Sequence, residues 1–436
     1  MSCSVERRQF LQVAAAGATA VATRARAANA ATNRLRVGVI GLGGQGQTHL
    51  KRFHEIQDVD LAYVCDVDQA RVSAAAERFP DAQAVTDLRQ VLDDDSVDAV
   101  SIATPDHWHA PAAILACQAG KHVYVEKPCC HSFREGQMLV AAARKHKRVV
   151  QHGTQQRSSP FTANAVQLLR EGVIGEVLVA KAWNVQRRAN IGHVEPSEPP
   201  AGFDYDAWVG PAEMVPFRAN CHHYTWRWWH NFGSGDLGND GVHELDYARW
   251  GLGVDRFPTR ISAIGGKYFF DDDQQFPDTQ TVLFEYGATR STPRPRQLIF
   301  EMRLWSTNYP NGVDSGVEFY GTKGKMFVSK RGKLDILLER NKRIDVTQPE
   351  NPVQFASPDH YSDFIDAIRE SRSPNAEIEI GFYTAALANF GNVATRLGRT
   401  LNFDADSSTI TNDEEATKML QRTYRREGHW AVPTIA

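Results

Sequence analysis

The stretch RLRVGVIGLGGQG at residues 34–46, read with DLAYVCD at residues 60–66, decides the fold. An apolar, β-branched run enters Gly41, Gly43 and Gly46, the G-x-G-x-x-G spacing of a strand-turn-helix unit that holds a dinucleotide. The glycines, with Gly44 and Gln45 between them, admit a tight turn and let backbone approach a pyrophosphate seated on the helix N-terminus. Asp66 stands 20 residues beyond Gly46. A carboxylate at that distance accepts hydrogen bonds from the adenosine ribose hydroxyls, which favours NAD over NADP.

Outward from this stretch, short β-rich runs alternate with helical periodicity. Residues 35–40, 61–65, 99–103, 122–125 and 149–152 read as strands, and 46–56, 68–79, 109–119 and 132–146 as helices. The alternation predicts a doubly wound parallel sheet, a Rossmann domain over residues 34–155. Such sheets bind ligands beyond the carboxyl ends of their strands. The positions to inspect are therefore Asp66, Thr104-Pro105-Asp106, Glu126-Lys127-Pro128 and Gly153-Thr154. After residue 155 a helix at 161–170 is followed by strand-like runs at 177–185, 260–268, 281–286, 298–304, 316–320 and 325–329, and helices return at 361–370 and 382–397. Consecutive strands predict an open-faced, mostly antiparallel sheet in an α+β domain over residues 156–400, with 401–436 as a C-terminal tail. The fold class is thus α/β with a second α+β domain. The acidic segment 271–278 reads as a solvated loop instead of a metal site.

Glu126-Lys127-Pro128 closes its strand over the nicotinamide end of the cleft, away from the adenosine. An ammonium there hydrogen-bonds a substrate oxygen and lowers its effective pKa, so that hydride can leave the carbinol carbon. In the second domain GSGDLGNDGVHELD, residues 233–246, runs into an amphipathic helix through Trp250. On it Asn239 and His243 (i, i+4), and Asp240 and His243 (i, i+3), share a face. An imidazole oriented by a polar neighbour suits a general base. Upstream, HHYTWRWWH at residues 222–230 places three of the chain's nine tryptophans within four residues. The faces of Trp226 and Trp228, with donors such as His230, suit a sugar ring, although one or two of these rings must be packing. His222, His223 and His230 have no carboxylate or Cys at ligand spacing, so no metal is expected.

Composition points to a small-molecule partner. The 436 residues, 42% hydrophobic and 23% charged, suffice for two cored domains, and a net charge of −3 gives no drive toward nucleic acid or an anionic membrane. Of the six cysteines, Cys65, Cys117, Cys129, Cys130 and Cys221 follow the leader that contains Cys3, and they form neither a disulfide framework nor a zinc spacing. Arg7-Arg8-Gln9-Phe10-Leu11 precedes a short run of small and apolar residues at 13–22, then two small-x-small patterns at 25–30. This resembles a twin-arginine export signal over residues 1–30, which predicts a periplasmic or otherwise exported protein. The run is too short and alanine-rich for a permanent membrane anchor.

These motifs resemble the Gfo/Idh/MocA oxidoreductases, the group of glucose-fructose oxidoreductase, inositol dehydrogenase and rhizopine catabolism. The resemblance rests on the glycine fingerprint, Ala103-Thr104-Pro105 with His109, Glu126-Lys127-Pro128, Gly153-Thr154-Gln155-Gln156-Arg157, the Gly-rich lead into His243, and Gly321-Thr322-Lys323-Gly324. It implies NAD(P)-dependent chemistry on a sugar or cyclitol, and a homo-oligomer, dimer or tetramer, assembled through the C-terminal sheet. It matches Lys127 to the family's catalytic lysine and His243 to its catalytic histidine, adds Thr104, Pro105, His109 and Glu126 to the cofactor contacts, and adds Arg157 to the substrate contacts. The departure is Asn239, where dehydrogenases of the family commonly carry Asp. An amide cannot accept or relay a proton as a carboxylate can. Either Asp240 substitutes from the next position, or the chemistry is not that of a simple inositol-type dehydrogenase. An exported enzyme also meets no free nicotinamide pool. The expectation is therefore a tightly held NAD, reduced and reoxidised within one cycle by two carbohydrate substrates. The alternative is a glycosidase or lyase that oxidises a ring hydroxyl transiently, eliminates the glycosidic substituent and returns the hydride.

Overall fold

The structure, a computed structural model, describes residues 34–290 and 292–434. The expected export signal, with Arg7 and Arg8, lies outside the described residues. Strands β1 (Leu35–Ile40), β2 (Val59–Cys65), β3 (Gln83–Val85), β4 (Ala99–Ile102), β5 (His122–Val125) and β6 (Val150–His152) pair in parallel in the order β3-β2-β1-β4-β5-β6. Their apolar runs are buried almost throughout, as helices on both faces of a parallel sheet require. The strand order reverses between β1 and β4, and a ligand crevice opens there. Polar side chains start the helices: Asp68 accepts from the Ala70 N–H before Gln69–Arg78, and Ser159 from the Thr162 N–H before Pro160–Arg170. β3 and the helix Leu88–Asp93 have no counterpart in the sequence reading, because elements of three and six residues are too short to show a period.

The second sheet contains β7 (Val177–Asn184), β8 (Arg260–Gly266), β9 (Thr279–Tyr286), β10 (Arg296–Arg303), β11 (Ser315–Gly321), β12 (Gly324–Ser329), β13 (Lys333–Leu338), β14 (Lys342–Ile344), β15 (Leu401–Asp404) and β16 (Thr409–Ile410). Their order is β14-β13-β12-β11-β7-β10-β9-β8-β15-β16. Only β7 and β10 run parallel; the other pairings are antiparallel. The helices Gly241–Leu252 and Ile378–Leu397 cover one face. Alternate residues of β9 bury themselves beneath them.

Segments from the end of the chain tie the two sheets together. Residues after 400, expected as a tail, are built into the fold: β15 pairs with β8, Arg422 Nε meets the buried Glu135 at 2.8 Å, and Arg425 Nη1 meets Asp206 at 2.7 Å. Strands of four and two residues explain why this was not legible. The helix His360–Arg369 packs beneath the first sheet, where Tyr361, Phe364 and Ile365 share a core with Leu50, Phe53, Val64 and Tyr124. The rings of Tyr361 and Tyr124 stack at 5.3 Å. Among the described residues no helix is long and apolar enough to cross a membrane.

Candidate active site

The fingerprint glycines are required by contact as well as by spacing. Gly41 has φ +90°, and a Cβ on Gly46 would lie 1.9 Å from the Gly41 carbonyl oxygen. The helix Gly44–His54 begins after Gly43 with no side-chain cap and no acidic residue in its first turn, so its N–H groups face an open cleft. That cleft is a cavity of about 760 Å³ reaching from Thr86 and Arg89 beyond β3 to Lys127 beyond β5. Asp66 accepts from the Leu42 N–H (2.7 Å) and the Asp68 N–H (3.0 Å), and burial raises its pKa against those bonds and the nearby Arg71. A carboxylate offers about four acceptor positions, so two remain for ribose hydroxyls. Thr104 Oγ1 is buried in the cavity wall without a partner among the described residues. Glycine turn, bare helix terminus, strand-end carboxylate and orphaned hydroxyl together fit a dinucleotide.

Glu126 ties the glycine turn to the lysine. Its Oε1 accepts from Gln45 (3.2 Å), His49 (3.1 Å) and Gln155 (3.2 Å), and its Oε2 from the Lys127 N–H (3.2 Å). Burial works to raise its pKa, but the His49 bond and the charges of His49 and Lys127 carry it down to about 2. His109 braces the ends of β4 and β5, its Nε2 on the Thr104 carbonyl (2.8 Å) and its Nδ1 on that of Pro128 (2.7 Å). Pro105 stands at the start of the helix Asp106–Gln118 and lines the cavity.

Lys127 Nζ donates to Asn239 twice, to the backbone oxygen at 2.9 Å and to Oδ1 at 3.1 Å. Asn239 Nδ2 in turn donates to Asp236 Oδ1 at 2.8 Å. Lysine only donates and carboxylate only accepts, so the amide orientation is fixed by its neighbours. Asp236 is fully buried and also holds Asn184 (2.7 Å) and Arg188 (2.9 Å). The expected single helix through this motif is two, Gly235–Asn239 and Gly241–Leu252, joined at Asp240. Asp240 does not stand in for an acid at 239: Lys127 donates to Asn239 and not to Asp240, whose Oδ2 is held by Arg188 and by Gln186 Nε2 (3.1 Å). His243 lies outside the cavity lining but within the field of Lys127, Asp240 and Glu126; burial, then Lys330 and Lys127, lower its pKa to about 3. The ring is therefore neutral at physiological pH, and burial with the neighbouring ammonium groups disfavours its imidazolium form.

Three expected substrate contacts are corrected. Arg157 is buried, with Nε and Nη2 on Asp246 at 2.7 and 3.0 Å and its guanidinium over Trp250, so its donors are committed to the core. Trp228 is 1% exposed and packs in the hydrophobic core. His230 lies against Phe276, ring centroids 4.3 Å apart, outside the cavity. Trp226 does line the cavity, with Tyr224 and Arg227 beside it. Sequence reasoning missed His49, Gln155, Asp236 and Arg188 as site members. Helical spacing from Gln45 to His49 could have indicated the first, and that from Asp236 to Asn239 the third. It also missed a latch over the adenosine side, where the Gln69 N–H donates to the Gly202 oxygen (2.9 Å), the Asp204 N–H to the Val67 oxygen (3.1 Å), and His223 meets Asp68 (3.0 Å).

Comparison with known proteins accords with this geometry. Residues 35–154 match the oxidoreductase family's NAD-binding Rossmann fold, and residues 177–282 and 313–431 match its C-terminal alpha/beta domain. The uncharacterized oxidoreductase YrbE of Bacillus subtilis is 26% identical over 297 residues, 67% of this chain and 73% of that protein. Glycosyl hydrolase family 109 protein 1 of Shewanella sp. (strain ANA-3) is 34% identical over 160 residues, 34% of each chain. In three dimensions the fold is similar to aldose-aldose oxidoreductase from Caulobacter crescentus, with a TM-score of 0.64 at 18% identity, covering 85% of this chain and 100% of that one. The chain belongs to the Gfo/Idh/MocA oxidoreductase family, with an NAD-binding Rossmann domain at its N-terminal end.

Proposed function

We propose that this protein is an exported, homo-oligomeric carbohydrate oxidoreductase that keeps its NAD through catalysis and passes hydride between two sugar or cyclitol substrates. The observation that carries this reading is Lys127, whose ammonium is aimed by Asn239 at the nicotinamide end of a dinucleotide cleft. There Lys127 donates a hydrogen bond to the reacting oxygen as hydride leaves the carbon, and the hydroxyl proton is assigned to neutral His243, which stands behind the cavity wall in the field of Lys127. NAD, when bound, supplies the hydride acceptor. Trp226 and Arg227 offer an aromatic face and a donor to a sugar ring at the cavity wall. Retention is supported by the backbone latch between residues 67–69 and 202–204.

The test is to denature protein purified after export, identify the released nucleotide, and follow its redox state under a panel of sugars. About one NAD per chain, cycling between reduced and oxidised forms with paired substrates, is expected. Protein that carries no nucleotide and needs millimolar NAD would overturn retention. A second reading, redox-neutral cleavage of a glycoside, is favoured by the amide at 239 and by likeness to the family 109 glycosyl hydrolase. It requires glycoside cleavage without net change in NADH absorbance, and failure across a glycoside panel removes it.

A further inference from the structure

The C-terminal segment delivers two aromatic rings to the far end of the cofactor cleft. Arg422 is anchored to the buried Glu135, Tyr424 donates to the same carboxylate (3.0 Å), and Arg425 holds Asp206 through Nη1 (2.7 Å) and its backbone oxygen through Nη2 (3.1 Å). The Arg425 N–H also donates to the Pro211 oxygen (3.1 Å). From these anchors the chain carries His429 and Trp430 into the cavity wall. The Trp430 indole lies 5.9 Å from the ring of Trp108, with the Arg89 guanidinium over it at 4.9 Å, and is still 44% exposed. Arg89 is held in turn by Asp87 at the carboxyl end of β3.

Sheet order says which part of a dinucleotide meets this wall. Asp66, at the end of β2, takes the adenosine ribose, and Lys127, at the end of β5, marks the nicotinamide side. β3 is four strand spacings from β5, about 19 Å at ~4.8 Å each. Thr86, Arg89 and Trp430 therefore surround the position beyond the ribose, where the base lies. A partly exposed indole with the Arg89 guanidinium over its ring forms a cation–π pair that lines the cavity, and such a pair presents a stacking surface to a purine.

We infer that Trp430, carried by the C-terminal strap, forms the outer wall of the adenine pocket and slows escape of the dinucleotide. The inference rests on the retained-cofactor reading. Its test uses full-length protein stripped of nucleotide and two probes: ADP-ribose, which contains adenine, and reduced nicotinamide mononucleotide, which lacks it. Trp430→Leu keeps apolar bulk against Trp108 but removes the aromatic face, and Trp430→Phe keeps both. The leucine variant is expected to bind ADP-ribose about tenfold more weakly with mononucleotide affinity unchanged, and phenylalanine to restore most of the loss. ADP-ribose is also expected to protect residues 424–431 of the wild type from hydrogen exchange, a readout that needs no variant to fold. Unchanged ADP-ribose affinity, equal loss for both probes, or no protection of the strap would overturn the inference. Failure of the retention reading looks different: wild-type protein would release NADH faster than it turns over, whatever the ratio between variant and wild type.

Discussion

Replacing Asn239 by Asp restores the residue implied by the wider family, yet in this chain it is expected to do harm, and only above a certain pH. The amide accepts from Lys127 on one side and donates to Asp236 on the other. A carboxylate in its place would face Asp236 Oδ1 at 2.8 Å, about 6 kcal/mol of repulsion at an effective dielectric near 20, against about 5 kcal/mol of attraction to Lys127 at 3.1 Å. These nearly cancel. What remains is the lost donor to a buried carboxylate, about 2 kcal/mol, recovered only while the new carboxyl keeps its proton and donates as the amide does. The folded protein then holds that proton to higher pH than the unfolded chain, so stability falls as pH rises from about 4 and levels off once the native carboxyl has ionised. Turnover and thermal midpoint measured from pH 5 to 8 should approach wild type at the acid end, with kcat about 30-fold lower at pH 8. Adding Asp236→Asn should return part of the loss by restoring one donor and one acceptor. A deficit independent of pH, or a gain at pH 8, would refute the reasoning.

Lys127→Met should cost about 10³-fold in kcat while bound nucleotide, assayed after denaturation, stays at the wild-type amount. Gly46→Ala puts a methyl group 1.9 Å from the Gly41 oxygen, and purified protein should carry little or no NAD. Arg157→Ala strands Asp246 in the core and should cost about 3–5 kcal/mol in denaturant unfolding with KM unchanged in the active fraction; a selective rise in KM would return Arg157 to the substrate site. Burial raises the pKa of Glu244 to about 7 despite Lys330 at 2.9 Å. Between the ordinary glutamate range and that value the native state binds the proton that the unfolded chain has lost, so stability should fall with rising pH across this window, and Glu244→Gln should flatten the slope.

The cofactor half was legible because its requirements are local. A tight turn, a bare helix terminus and a strand-end acid are set by residues close in sequence, and Gly41, Gly46 and Asp66 stand where spacing placed them. The reacting pair was legible in part. Lys127 and Asn239 were named, but their hydrogen bond joins residues 112 apart; Asp236, three residues before Asn239 on the same short helix, was within reach of helical spacing and was passed over. Arg157 and Trp228 misled for a single reason: residue type states what a side chain can bind, whereas a partner remote in sequence or the surrounding core decides whether it is free. Asp246 uses the arginine, and hydrophobic packing uses the tryptophan. Asp240 was spent in the same way on Arg188.

The helix His360–Arg369 beneath the first sheet has a consequence for how the polypeptide is made. Leu50, Phe53 and Tyr124 cannot finish their core until Tyr361 and Phe364 arrive, some three hundred residues after the glycine turn. A ribosome that has completed only the nucleotide-binding strands holds a half-closed layer with an apolar underside, in need of protection until the last quarter of the protein emerges. Dinucleotide capture is therefore a late event in biogenesis, and a fragment ending near residue 155 should aggregate when expressed alone.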